Sequence, residues 1–321
     1  MNGWTWHGGG LEAARRHFGG SDWIDLSTGI NPHPWPGSAA LDIDWTRLPE
    51  QPGLAALETA AAACFGVDAR HLCAVPGTEI GLRLVGSLIG GRSRHLVPSY
   101  RTHAEMIPGA PIALDALDTH LGTLILANPN NPDGRVLDAE TLRALLNSRA
   151  EDGWLLLDEA FADVDPALSL AGEIGDTRRL VIFRSFGKFF GLAGVRLGFV
   201  LGPERIVTAL RAALGAWPVS AAAIAIGTAA YRDRRWIEAM RGQLHADAAA
   251  LNAVLAGAGY RPIGACPLFR LIEVPDGMAL FERLAARAIL TRPFAEQPRW
   301  LRIGLPIGDR LARLEAALAD G

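Results

Sequence analysis

From Leu72 to Leu201, short apolar runs and helical stretches take turns along the chain, and few architectures accommodate that rhythm. The runs Leu72–Val75, Arg94–Val97, Ile112–Leu114, Thr123–Ala127, Trp154–Leu157, Leu180–Phe183 and Val195–Leu201 read as strands. The stretches Glu79–Ile89 and Ala139–Arg149 read as helices, with Thr78 as the N-cap of the first. Strands separated by helices imply a mostly parallel sheet covered on both faces, an α/β fold. Ligands of such sheets gather at the carboxyl ends of the strands. Polar or glycine-rich clusters follow the strands here: Gly77–Glu79, Ser99–Tyr100, Asn128–Pro132, Asp158–Phe161 and Ser185–Lys188. Their convergence on one crevice is the expectation that organises everything else.

The flanks read differently. The first forty residues are rich in Gly, Pro and His, with a short helical pattern at Leu11–Phe18 and a turn-rich stretch from Ile24 to Pro34. A helical pattern at Leu54–Phe65 then leads into the alternating region. After Pro203, alanine-rich helical stretches cover Glu204–Leu214, Ser220–Tyr231 and Arg235–Ala256. Strand Leu268–Val274, helix Met278–Ala288, strand Trp300–Gly304 and helix Arg310–Ala319 complete a smaller α+β domain. The expected division is an N-terminal arm at 1–40, a large domain at 41–203 and a small C-terminal domain at 204–321.

Half of the 321 residues are apolar and the net charge is -3, so the chain can bury a large core but offers no basic footprint for nucleic acid or an anionic membrane. No apolar run reaches membrane-spanning length, and Met1 to Gly10 lacks a signal-peptide pattern. Cys64, Cys73 and Cys266 lack metal-ligand spacing and read as core residues of a reduced, cytoplasmic protein.

The chemistry concentrates in Ser185-Phe-Gly-Lys188-Phe-Phe-Gly-Leu-Ala-Gly-Val-Arg196-Leu-Gly198. One lysine stands among Phe186, Phe189, Phe190 and Leu192, where poor solvation favours the neutral amine, the form that attacks a carbonyl. Ser185 and Arg196 suit a phosphate. Gly77 leading into a helix N-terminus makes a second phosphate cradle. Asp158 ends a buried strand and needs a cationic partner or strong hydrogen bonds; a protonated pyridine nitrogen is one partner, and a plain turn cap is the alternative. Asn131 stands on a rigid Asn-Pro turn. Tyr100 is either a ring that stacks on a ligand or a core aromatic. Arg302, between Leu301 and Ile303, calls for a buried anion or lies at a strand edge facing water.

These residues resemble the fold-type I pyridoxal-phosphate (PLP) enzymes of the class I/II aminotransferase superfamily, in the histidinol-phosphate aminotransferase branch, over nearly the whole chain. The resemblance implies that Lys188 carries the cofactor as a Schiff base, Asp158 partners its ring nitrogen, Asn131 donates to its ring oxygen and Tyr100 stacks on it. Thr78, Glu79 through its N–H, Ser185 and Arg196 then hold the cofactor phosphate. Arg302 resembles the carboxylate-binding arginine, and Arg292 lies where this branch often carries a second anion-binding arginine. A homodimer is implied as well.

Two departures stand out. Phe161 occupies a position where the relatives usually have tyrosine, and Leu48 replaces a tyrosine that in many relatives reaches the partner's cofactor phosphate. The arm, with His7-Gly8-Gly9 and Ile24 to Pro32, together with Asp158-Glu159-Ala160-Phe161, resembles the threonine-phosphate decarboxylase group of cobalamin biosynthesis, with Gly10 in place of a frequent asparagine. That group converts L-threonine O-3-phosphate to (R)-1-amino-2-propanol O-2-phosphate. His7, Asn31 and Arg292 are then the candidates for the substrate phosphate. An aminotransferase is the competing reading, and a PLP-fold binding protein without turnover is a third, disfavoured by Lys188, Asp158 and Arg196 together.

Overall fold

The computed structural model describes residues 3–119 and 122–319. Two compact units share the chain: one is built from His33–Asn131 and Val136–Ala239, the other from the stretch up to Pro32, Pro132–Arg135 and the stretch from Met240 on.

The first unit is built on a seven-stranded sheet. Its order is Leu72–Val75, Gly198–Leu201, Leu180–Ser185, Leu155–Asp158, Thr123–Ala127, Ser93–Leu96 and Gly109–Ile112. Gly198–Leu201 runs antiparallel to both neighbours, and the other neighbouring pairs are parallel. The central strands are buried along their whole length, as expected where helices cover both faces. On one face, helices Thr78–Ile89 and Glu204–Leu214 press Leu82, Val85, Val207 and Leu210 onto Val75, Ile125, Leu156, Phe183 and Val200. Each such side chain stabilises the fold by roughly 1.5–3 kcal/mol relative to exposure. In-register pairing sets Asp158 beside Ala127 on one side and Phe183 on the other. The carboxyl ends of these strands therefore stand level with one another.

Element limits depart from the sequence expectation where backbone chemistry intervenes. The last strand starts at Gly198 rather than Val195, because Ala193–Val195 forms a 3-10 turn and Arg196 takes left-handed φ 56°. Thr78 is the first helical residue; Gly77 is the N-cap, and no side chain caps that helix. The expected boundary at 203/204 contrasts with a parting of the two units at 239/240. Helix Glu204–Leu214 packs on Thr78–Ile89, and helix Ala221–Arg232 packs on Gln51–Phe65, which ties both to the sheet unit.

The second unit contains a four-stranded antiparallel sheet, ordered Arg292–Pro293, Trp300–Gly304, Phe269–Glu273, Pro262–Ile263. The N-terminal segment is woven into this unit. Ile24–Asp25 pairs in parallel with Ile289–Leu290, and the Gly304 N–H donates to the Leu26 carbonyl at 2.7 Å. A side chain at Gly304 would meet the Thr28 carbonyl oxygen at 2.4 Å, so the close approach of that backbone requires glycine.

Candidate active site

The strand ends of the sheet unit enclose a cavity of about 170 Å³. Its walls include Thr78, Glu79, Tyr100, Asn131, Asp158, Ser185, Lys188 and Arg196. All the residues expected from sequence to meet the cofactor thus line one cavity, joined by Phe161 and Gly77.

At one end the backbone forms an anion cradle. Gly77 holds φ 88°, and a Cβ there would stand 2.8 Å from Nη2 of Arg196. The strained left-handed Arg196 backbone carries its guanidinium to that spot, and Nη1 donates to the Ala193 carbonyl at 3.3 Å. The first N–H groups of helix Thr78–Ile89 have no intrahelical partners by construction and carry the positive end of the helix dipole. Gly198 lets the neighbouring strand pass, since a Cβ there would lie 2.8 Å from the Thr78 nitrogen.

Asp158 is 7% exposed, and both of its oxygens are occupied. Oδ1 accepts from the Ala160 N–H at 3.0 Å, and Oδ2 lies 3.0 Å from Nε2 of fully buried His103. A carboxylate facing Nε2 places the imidazole proton there. His103 was missed in the sequence: a histidine in a five-residue helix, Arg101–Glu105, carries no motif of its own. Its ring meets Tyr100 edge-on at 5.7 Å.

The Glu79 side chain, like His103, has a role that no motif in the sequence signals; only its N–H is expected at the cofactor phosphate. Oε2 accepts from the Tyr100 hydroxyl at 3.0 Å and from Thr102 Oγ1 at 2.7 Å, while Oε1 accepts from Arg83 Nε at 2.7 Å. Burial pushes the Glu79 carboxyl up, but the hydrogen bonds from Thr102, Arg83 and Tyr100 together hold it below its ordinary value. Burial, followed by the Glu79 charge, pushes the Tyr100 phenol up and keeps it a neutral donor.

The turn that presents Asn131 is clamped from both sides. Asn128 Nδ2 donates to the Leu137 carbonyl at 3.0 Å and Oδ1 accepts from the Leu137 N–H at 2.8 Å, while Asn130 Nδ2 donates to the Pro98 carbonyl at 2.9 Å. Lys188 sits in the short helix Phe186–Phe189. The phenylalanines around it in sequence pack into an aromatic cluster with Tyr231 and Trp236, where Phe186 and Phe190 stack at 4.6 Å. The aromatic that meets the lysine is Phe161, whose ring centroid lies 5.7 Å from Nζ.

The remaining expected residues belong to the second unit. Arg292 and Arg302 are direct cross-strand partners, so their side chains share a face. Arg302 is 3% exposed, donates from Nη2 to the Ser27 carbonyl at 2.8 Å and lies 5.0 Å from the Phe269 ring. Burial first, and the Arg292 charge next, push its guanidinium well below the ordinary value. Asn31 is buried, and His7 is exposed with its ring 6.1 Å from Trp6.

The donors of the first unit suit a phosphorylated pyridine aldehyde. The Gly77–Arg196 gap would suit an anion, the buried Asp158 carboxylate would suit a protonated ring nitrogen, and Lys188 offers a primary amine on the same cavity wall. Residues 108–318 match the model of a protein family, aminotransferase class I and II. The chain belongs to that family. Two curated relatives, both threonine-phosphate decarboxylases, match nearly end to end. The protein from Sinorhizobium sp is 40% identical over 96% of this chain and 98% of its own. That from Pseudomonas aeruginosa is 41% identical over 97% and 96%. A histidinol-phosphate aminotransferase of Chromohalobacter salexigens is 29% identical over 92% of each chain. In fold, the chain matches the crystal structure of histidinol-phosphate aminotransferase from Sinorhizobium meliloti in complex with pyridoxal-5'-phosphate. The TM-score is 0.86 at 22% identity, over 97% of this chain and 94% of that one. L-threonine-O-3-phosphate decarboxylase from Porphyromonas gingivalis shares the fold with a TM-score of 0.77 at 18% identity, over 92% and 98% of the chains.

Proposed function

We propose that this chain is a PLP-dependent carboxy-lyase that converts L-threonine O-3-phosphate to (R)-1-amino-2-propanol O-2-phosphate, the linker of the cobalamin nucleotide loop. The observation that carries this is the 40% identity to a threonine-phosphate decarboxylase over 96% of the chain. When bound, PLP supplies an electron sink for the pair left on the substrate's α-carbon. The protein's own groups do the rest. Lys188 anchors the cofactor through Nζ. Thr78, the Glu79 N–H, Ser185 and Arg196 hold its phosphate. Asp158 keeps a proton on the ring nitrogen and is itself held by His103. Asn131 donates to the ring oxygen, and Tyr100, pinned through its hydroxyl to Glu79, stacks on the ring.

A substrate with a carboxylate and a phosphate needs two cationic seats. In this reading Arg302 takes the carboxylate, and Arg292 takes the phosphate with His7 and Asn31. Two guanidiniums on one face, one of them buried, repel each other until an anion lies between them. Bidentate contact with oxyanions suits both.

The reading includes a homodimer. Trp45, Leu48 and Trp217 are 76%, 62% and 56% exposed, and in this reading a second copy covers them. Cys64, Cys73 and Cys266 are free thiols, and among the described residues no helix is long and apolar enough to cross a membrane. The reading places the protein in the cytoplasm. The test of substrate class is a comparison of kcat/KM for L-threonine O-3-phosphate and plain L-threonine. Preference for the phosphorylated substrate by at least about tenfold, one charged hydrogen bond's worth, is expected. Equal handling of the two sinks the assignment.

A further inference from the structure

The carboxylate of Glu79 joins the anion cradle to the groups around Asp158. Glu79 is the second residue of helix Thr78–Ile89, whose N-terminus forms the cradle, and its side chain reaches across to helix Arg101–Glu105. Its Oε2 accepts from the Tyr100 hydroxyl at 3.0 Å and from Thr102 Oγ1 at 2.7 Å, at the start of that second helix. Its Oε1 accepts from Arg83 Nε at 2.7 Å, and Arg83 Nη2 donates in turn to Glu105 Oε2 at 2.7 Å, at the other end. A helix of five residues does not hold itself in water. Its place is therefore set by these two clamps and by the burial of Thr102 and His103.

That short helix carries two groups that face the site. Tyr100 is its N-cap residue, yet the side chain makes no cap; the hydroxyl goes to Glu79 instead. His103 stands 3.0 Å from Asp158 Oδ2 and meets the Tyr100 ring edge-on at 5.7 Å. Glu79, Tyr100, His103 and Asp158 thus form one chain of contacts from the cradle helix to the end of a central strand. The charge states suit this task. Burial works against ionisation of Glu79, but the hydrogen bonds from Thr102, Arg83 and Tyr100 prevail and hold its carboxyl below the ordinary value. A carboxylate facing a neutral phenol gives a charge-assisted hydrogen bond. The Glu79–Arg83 pair alone would be an ordinary contact between residues four apart on a helix, of small effect. The two hydroxyl donors from the other helix do not belong to that pattern.

We propose that the Glu79 side chain is a positioning residue of the active site. It fixes the Tyr100 ring from its hydroxyl end and holds helix Arg101–Glu105 where His103 meets Asp158. The proposal rests on the PLP reading given above, in which Tyr100 stacks on the cofactor ring. A tyrosine held at both its backbone and its hydroxyl keeps one tilt; a phenylalanine offers the same face to a ligand but is held at one end only. The hydroxyl of residue 100 then serves the geometry of stacking rather than any proton transfer.

The test is a double-mutant cycle on PLP binding with wild type, Glu79→Ala, Tyr100→Phe and the double variant. Dissociation constants come from titration of the visible absorbance, and visible circular dichroism at saturating PLP reports how the ring is held. Tyr100→Phe should weaken PLP binding about three- to tenfold, the share of an aromatic contact that depends on fixed geometry. Glu79→Ala should weaken it at least as much, and adding Tyr100→Phe to Glu79→Ala should change it by less than about twofold. The dichroism of both single variants should depart from wild type in the same direction. A purely structural role for Glu79 would lower the melting temperature of the cofactor-free protein and let the two losses multiply. Losses that multiply, or a Glu79→Ala protein with wild-type affinity and dichroism, overturn the proposal. If Glu79→Ala does not fold, Glu79→Gln, which keeps the shape and loses the charge, replaces it in the cycle and must show the same coupling. Failure of the PLP reading itself looks different: wild type would then take up no PLP.

Discussion

His103→Phe is the perturbation whose outcome follows most directly from the geometry. The ring nitrogen Nε2 stands 3.0 Å from Asp158 Oδ2, His103 is fully buried, and Asp158 is 7% exposed. Phenylalanine fills similar space and removes one hydrogen bond to a charged acceptor, worth roughly 1.5–3 kcal/mol. The Asp158 carboxylate keeps its second donor, the Ala160 N–H at 3.0 Å, so it stays in place but loses half of its support. His103 Nδ1 is buried with no hydrogen-bond partner, so the substitution also removes an unsatisfied polar atom and the fold should tolerate it. With Asp158 in its proposed place at the ring nitrogen, the loss falls on the proton held there, not on substrate binding. The expected result is a decrease in kcat/KM of about ten- to a hundredfold, carried mainly by kcat, with KM within about threefold. His103→Gln, which restores a donor, should recover part of it. Steady-state kinetics on the two variants, with circular dichroism to confirm folding, decide the matter. A folded His103→Phe enzyme with wild-type kcat and an unchanged visible spectrum would refute the role of His103 as the support of Asp158.

Other substitutions probe the remaining parts. Lys188→Ala should bind PLP reversibly, lose turnover by orders of magnitude and leave no borohydride-fixed label, whereas labelling of a different lysine in wild type contradicts the assignment. Phe161→Tyr brings a hydroxyl to a ring 5.7 Å from Lys188 Nζ; a new donor near the cofactor's ring oxygen should lower the pH midpoint of the visible absorbance, and an unmoved titration places Phe161 away from that oxygen. Arg302→Ala should weaken handling of threonine phosphate and threonine alike, by roughly ten- to a hundredfold in kcat/KM, while Arg292→Ala should penalise the phosphorylated substrate far more. Equal penalties from the two variants on both substrates would contradict separate carboxylate and phosphate seats.

Much of this was legible in the chain because the physics involved is local. Apolar runs announce the strands, so Thr123–Ala127 and Trp300–Gly304 are expected at their observed limits. Polar residues just after buried strands announced the cavity, since a parallel sheet gives its ligands few other places. The residues that escaped notice act through partners distant in sequence. His103 is significant only because the chain brings it to Asp158, 55 positions on. The Glu79 carboxylate matters through Tyr100 and Thr102, more than twenty positions away. The phenylalanines beside Lys188 read as its environment, yet their rings belong to an aromatic cluster with Tyr231 and Trp236, while Phe161 arrives from another strand end. The difference between the expected boundary at 203/204 and the parting of the compact units at 239/240 has a related origin. Alanine-rich helices look alike wherever they pack, and only their contacts assign Glu204–Leu214 and Ala221–Arg232 to the large sheet.

The central claim is that the bond broken at the α-carbon of the substrate is the one to its carboxylate. Carbon-13 labelling at the substrate carboxyl tests it directly. Purified enzyme, PLP, a 2-oxo acid and labelled L-threonine O-3-phosphate are incubated together, and NMR follows the label and the phosphate. The account predicts labelled carbon dioxide and one equivalent of 1-amino-2-propanol phosphate, with the 2-oxo acid unconsumed. Label retained in a keto acid, with the 2-oxo acid converted to its amino acid, would contradict it and make the chain an aminotransferase.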